Sequence, residues 1–181
     1  MAPQTPADVG GGGDGGGVKG MIQPLQALSE PQRTKITAEL AAAHSAQFGG
    51  RTEAVRTQAY SGEPTDPGEL PTTIVAVDAV GTTVGSIAVV VDDMGGRRPD
   101  LTPWIATLWV SPTHRRQGWA TRLLKSAIQL AASAAPKGRI YLWTHTQALE
   151  GKLYGPAGFH VIERLEHREA PAAIMAAVVA P

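Results

Sequence analysis

The feature that most constrains this chain is the run LTPWIATLWVSPTHRRQGWATRLLKSAIQL from Leu101 to Leu130, because its periodicity changes halfway. The front half, Trp104 to Val110, is apolar, β-branched and aromatic with one threonine, the length and composition of a buried strand. Ser111 and Pro112 stop it. From Ala120 the apolar residues recur at Leu123, Leu124, Ala127, Ile128, Ala131 and Ala134, the spacing of one helix face. Between the two halves lies Arg115-Arg116-Gln117-Gly118-Trp119. The unit therefore reads as a strand, a basic loop with a glycine, and an amphipathic helix.

Such a junction has a physical use. The first turn of a helix carries backbone N–H groups with no intrahelical partner and the positive end of the helix dipole, so it attracts anions. Gly118 has no side chain to keep a phosphate off the backbone and Ala120 has little, while Arg115 and Arg116 add positive charge. No strand–turn–helix junction here carries G-x-x-x-x-G-K-[ST] or G-x-G-x-x-G, which removes the main sequence support for nucleoside triphosphate and dinucleotide chemistry.

Arg115-x-x-Gly118-x-Ala120, preceded by a strand ending Val110-x-Pro112, resembles the acetyl-CoA signature of the GNAT superfamily of N-acetyltransferases, Arg/Gln-x-x-Gly-x-Gly/Ala. The resemblance implies that the cofactor loop comprises Arg115, Arg116, Gln117, Gly118, Trp119, Ala120 and Thr121, with His114 beside it. A solvated βα turn with arginines and a bend-forming glycine would give the same local pattern.

The rest of the chain supplies the remaining elements. A short strand is expected within Val18 to Gln26, with Ile22 and Leu25 as its apolar members. Ser29-Glu30-Pro31-Gln32 reads as a capped helix start, followed by Ile36, Leu40, Ala43, His44 and Gln47 at helical spacing up to Gly49-Gly50. A second helix is expected around Thr52 to Ala59, then a loop rich in turn residues. Thr72 to Ala79 and Val84 to Val91 read as a hairpin turning at Val80-Gly81-Thr82-Thr83, and Asp92 to Asp100 as a charged loop. After the long helix, Pro136 and Gly138 punctuate, and Arg139 to Thr144 reads as a strand parallel to the Trp104 strand. A short helix from Gln147 to Tyr154 is cut by Gly155-Pro156-Ala157-Gly158, before strands at Phe159 to Leu165 and Ala172 to Val179. The expected class is α/β (α+β), in the order β-α-α-β-β-β-α-β-α-β-β: a mixed, mostly antiparallel sheet of six to seven strands flanked by about four helices. That is also the GNAT order, so the resemblance extends over residues 21–181 as one domain.

Sixteen basic and sixteen acidic side chains balance across 181 residues, leaving no global electrostatic pull toward nucleic acid or an anionic membrane. The chain has no cysteine, which excludes thiol nucleophiles and cysteine-ligated zinc; no metal is expected. With no long apolar run, a cytoplasmic protein, monomer or homodimer, is the expectation. Residues 1–20, rich in glycine, read as a disordered tail.

Leu153-Tyr154-x-x-x-Gly158-Phe159 resembles the family's C-terminal Leu-Tyr-x-x-x-Gly-Phe element. The resemblance implies that Tyr154 protonates the departing CoA thiolate, and a phenol with a pKa of about 10 suits that role. The alternative is a tyrosine ring packed at a helix end with its hydroxyl in water. Gln147 stands where many relatives have a cofactor-binding asparagine. The resemblance further implies direct transfer from acetyl-CoA to an amine, with the backbone of Leu108-Trp109-Val110 stabilising the thioester oxygen.

For the general base, His145 is the candidate with a suitable pKa, beside Glu150, Asp92, Asp93, Asp100 or a water chain. Trp104 and Trp143 could wall the acceptor site and the aspartates could hold a cationic amine, or the tryptophans could be core and the aspartates solvated. The expected function is acetyl-CoA-dependent N-acetyl transfer to a small-molecule or protein amine, the alternative a non-catalytic acyl-CoA-binding or sensor module.

Overall fold

The computed structural model describes residues 20–66, 69–135 and 137–179. The tail expected over 1–20 lies outside these residues except for Gly20, which opens the first strand, and Pro136 also lies outside them.

In chain order the elements are β1 (Gly20–Pro24), α1 (Glu30–Phe48), α2 (Glu53–Ser61), β2 (Thr72–Asp78), β3 (Thr83–Val90), β4 (Trp104–Val110), α3 (Trp119–Ser133), β5 (Arg139–Thr144), α4 (Gln147–Leu149, running into a π-helical turn at Glu150–Tyr154), β6 (His160–His167) and β7 (Ala170–Val178). The strands form one sheet in the order β1-β2-β3-β4-β5-β7-β6. Every pairing is antiparallel except β4 with β5. Helix starts follow local chemistry only in part. Thr52 caps α2 by accepting from Val55 N at 3.3 Å, whereas the Ser29 hydroxyl donates to the Gln32 side chain instead of capping the α1 backbone.

Alternation along the strands sorts side chains to two faces. Ile74, Ala76, Ile87, Val89, Ile105, Ile140, Leu142, Met175 and Ala177 join Leu123, Leu124, Ala127 and Ala131 of α3 in the largest core. Gly85 lies between α3 and β4: a Cβ there would stand 2.8 Å from the Trp109 carbonyl and 2.9 Å from Leu123 Cδ1. On the other face, Val75 and Val77 pack with Ile36, Leu40 and Ala41 of α1 and Tyr60 of α2. Beyond them, Met94 and Leu101 of the β3–β4 loop cover Trp104, Tyr141, Ile174 and Ala176.

Candidate active site

The site begins with a break in β4. Ser86 pairs with Trp109 and Ala88 with Ala106, so Ile87 of β3 faces both Thr107 and Leu108. Thr107 adopts φ 50° within this bulge. The inserted residue changes which side chains face each side: Ile105 belongs to the α3 core, and after the bulge so do Leu108 and Val110, while Trp109 turns to the α1 side.

β4 and β5 pair only at Trp104–Tyr141. Beyond that point the parallel strands part, and residues 107–110 are half-buried where residues 104–106 are buried. Backbone groups on the β5 side of this stretch, which includes Leu108, Trp109 and Val110, therefore have no strand partner.

The basic loop follows at once. Arg115 Nε donates to the Val110 carbonyl at 3.1 Å, tying the loop to the strand end. Arg116 takes φ 64° and Gly118 φ 83°, and Gly118 is the N-cap residue of α3. Nothing lies within 4 Å of a Cβ built on Gly118, so the protein requires glycine there for conformation and leaves open space above it. Gln117 reaches the Thr113 carbonyl at 3.4 Å, and Thr121 is exposed on the first turn with Ala120 half-buried beside it. Trp119 is the exception within the loop: it is buried in the α3 core with Arg122 stacked 4.4 Å above its ring. Its Nε1 has no hydrogen-bond partner among the described residues. His114 Nε2 lies 3.8 Å from the Asp78 carboxylate, which also caps the β2–β3 turn.

Tyr154 ends the π-helical turn after β5, where the Gly155 N–H reaches back to the Glu150 carbonyl at 2.7 Å. Its ring is buried in the α3 core against Phe159, with centroids 6.3 Å apart. Burial pushes its pKa up to about 12. Among the described residues its hydroxyl makes no hydrogen bond. Gln147 is exposed at the start of α4.

His145 lies toward the opposite side of the sheet. Successive β5 residues alternate, so Tyr141 and Trp143 face away from α3. His145 packs edge-on to Trp143 at 5.0 Å and its Nδ1 lies 2.9 Å from the Pro171 carbonyl. Tyr154 and His145 thus belong to different faces, separated by the opening between β4 and β5.

The acidic candidates separate clearly. Asp100 and Glu150 are occupied by Arg98 and Arg164 respectively, and Asp92 accepts from the backbone of Met94 and Gly96. Asp93 is different. Burial raises its pKa to about 6, against the opposing influence of Arg168 and a Trp143 hydrogen bond, with Asp92 adding to the rise and Arg51 lowering it. The Trp143 indole N–H donates to the Asp93 backbone carbonyl at 3.1 Å and lies close enough to the carboxylate to favour its charged form. Trp104, expected as a possible wall of the acceptor site, is instead fully buried and donates to the Leu101 carbonyl at 2.6 Å.

Sequence reasoning passed over several residues around this opening. The Thr107 bulge leaves no signal in a run of β-formers. Arg51 in the α1–α2 connection and His167 and Arg168 near the β6–β7 turn look like surface charge. Behind Trp109, His44 is completely buried between the Tyr60 hydroxyl (2.5 Å) and the Ser86 hydroxyl (2.8 Å); its only sequence signal was a place on the apolar face of α1.

A mixed seven-stranded sheet, bulged at Thr107 and splayed after Trp104–Tyr141, with a glycine turn at the head of α3, is the fold of this chain. A model of the acetyltransferase (GNAT) family matches residues 43–159, and the chain belongs to that family. Among solved structures, the acetyltransferase of GNAT family from Streptococcus pneumoniae is similar at 18% identity, covering 90% of this chain and 100% of that one, with a TM-score of 0.65. NAA60 of Arabidopsis thaliana, solved with a bisubstrate analogue, is similar at 15% identity over 89% of this chain and 98% of that chain, TM-score 0.64. An aminoglycoside 6'-N-acetyltransferase complexed with coenzyme A gives 17% identity over 89% and 98%, TM-score 0.62. At these identities the likeness is one of fold. No curated protein matches the chain significantly. Among the described residues no helix is long and apolar enough to cross a membrane.

Proposed function

We propose that this protein transfers an acetyl group from acetyl-CoA directly to an amine. The observation that carries the proposal is the opening between β4 and β5, with the exposed Gly118 turn at one end and Tyr154 and Asp93 toward opposite faces. The residues present fit the cofactor. Gly118 leaves space above the first turn of a helix running from Trp119 to Ser133, and Arg115 and Arg116 flank it for a pyrophosphate. The cofactor would supply an acetyl thioester, already activated toward amines.

The chain's own groups would do the rest. Backbone N–H groups at Leu108–Val110, unclaimed by β5, support stabilisation of charge developing on the thioester oxygen. Asp93, with a pKa near neutrality, suits removal of a proton from the ammonium form of the acceptor and its passage to solvent. His145, the base candidate suggested by its position in the sequence, holds a ring-nitrogen contact to Pro171 and fits better as a wall of the acceptor site. As the nitrogen–carbon bond forms and the carbon–sulfur bond breaks, Tyr154 would give its proton to the sulfur. Gln147 would lie at the rim.

The test is isothermal titration with acetyl-CoA followed by thiol release with a broad amine panel. Binding with turnover is expected. Binding with no turnover for any amine would favour a non-catalytic acyl-CoA sensor, and absence of binding would overturn the reading.

A further inference from the structure

Around Asp93, four separate elements bring together a set of groups that the transfer chemistry alone does not require. Trp143 of β5 is half-buried; the Arg168 guanidinium at the β6–β7 turn lies 5.2 Å from its ring. Arg168 also acts electrostatically on the Asp93 carboxylate. Among the described residues Arg168 forms no ion pair within 4.0 Å. His167 packs on Trp143 at 4.5 Å and is buried, yet its Nε2 has no hydrogen-bond partner among the described residues. Its Nδ1 lies 3.5 Å from Arg97 Nη1.

A half-buried aromatic, an unpartnered buried imidazole nitrogen and a guanidinium with no carboxylate within 4.0 Å are what an anion-bearing ligand would complete. One carboxylate in their midst is what an ammonium would complete. A diamine would place its second ammonium against Arg168 and would be repelled. Asp92 keeps its charge while its oxygens accept from the Met94 and Gly96 N–H groups, and so adds to the pull of Asp93 on the ammonium end.

Resting on the acetyltransferase reading, we propose that the acceptor is a small amine that also carries an anionic group, the simplest case being a zwitterionic amino acid, whose ammonium faces Asp93 while Arg168 holds its carboxylate beside Trp143 and His167.

The experiment compares free L-amino acids with their carboxamides and with putrescine. Binding to the protein saturated with CoA is measured by calorimetry, and turnover by thiol release from acetyl-CoA. Some amino acids should bind and react better than their own amides by about tenfold or more, the worth of a charge-assisted hydrogen bond. Arg168→Gln should collapse that acid-over-amide preference, mainly through KM. Arg168 is exposed, and the acid-to-amide ratio of the parent protein decides the matter even if the variant misfolds.

Preference for amides or putrescine overturns the inference and leaves the transferase reading intact. Amino acids that bind the CoA complex and release no thiol overturn the inference that they are the acceptors, and leave the transferase reading to the broad amine panel. No binding of any amino acid overturns the inference.

Discussion

The sheet face under α3 is closed almost entirely by aliphatic and aromatic side chains, whereas the opposite face buries His44, Ser86, Glu63 and Thr73 and leaves Asp93, Trp143 and Arg168 at its edge. The first face packs α3, with the Gly118 turn at its head, against the sheet. The second carries polar groups whose burial costs stability unless each finds a partner. Glu63 meets Thr73 through both its backbone N–H (2.8 Å) and its hydroxyl (2.5 Å), and His44 meets Tyr60 and Ser86. Burial raises the pKa of Asp93, as it does that of Glu63 on the same face. The contrast is between a face closed by packing and one that has to satisfy polar groups.

The largest expected effect lies on the α3 face. Tyr154→Phe keeps the ring against Phe159 and removes only the hydroxyl, so turnover should fall by about 10²–10⁴ while acetyl-CoA affinity stays within about tenfold. Steady-state kinetics and calorimetry check this; a Phe variant with full turnover at every pH would remove Tyr154 from the mechanism.

On the other face, Asp93→Asn should lower turnover by about 10² and abolish an acid limb of the pH–rate profile near pH 6. Stability should move the opposite way. A carboxyl whose folded pKa lies above its ordinary 3.8 favours the folded state when protonated, and that stability is lost as pH rises through about 6. The Asn variant should therefore melt higher than the parent above neutrality, with the gap closing toward acid pH. Lower melting at alkaline pH would show that Asp93 is a structural anion.

Next in size is the loop. Gly118→Val should weaken acetyl-CoA binding about tenfold or more: the left-handed conformation costs a β-branched residue about 1–2 kcal/mol, and the side chain fills the space above the turn. Unchanged affinity in a folded variant would break the assignment of the anion loop.

What the chain made legible follows the same division. The α3 face repeats simple periods: the Trp104–Val110 run, the helical spacing from Leu123 to Ala131 and the Arg139–Thr144 strand all lie where their patterns place them. The other face depends on events with no local pattern. One inserted residue at Thr107 sends Trp109 toward α1, and strand splay after Trp104–Tyr141 opens the site. Asp93, Trp143 and Arg168 come from separate parts of the chain, so their electrostatics exist only once the β3–β4 loop folds over β5. Trp104 shows the limit from the other direction, since composition alone did not tell a core tryptophan from the wall of a site.

His44 gives the smallest effect and the sharpest separation of the polar face from the apolar one. Burial, with a smaller contribution from Arg56, lowers its pKa from 6.5 to about 4, so the folded protein holds it neutral. Between those values the unfolded chain binds the proton that the fold refuses, and stability must fall as pH drops below 6.5. From about pH 7.5 to about pH 5.5 the single group should cost about 1 kcal/mol. His167, whose pKa is lowered chiefly by burial, adds to the loss, while Asp93 opposes it by taking up a proton in the same window. Urea unfolding across this range, with Asp93→Asn as the background, removes the opposing group, and the further change on replacing His44 isolates that histidine from His167. His44→Gln in that background retains a donor and an acceptor for Tyr60 and Ser86 without the titration, so it should start less stable at neutral pH and lose less on acidification. An unchanged slope on removing His44 would mean that its ring takes up a proton inside the fold, and that the α1 face tolerates a buried charge which the apolar face could not.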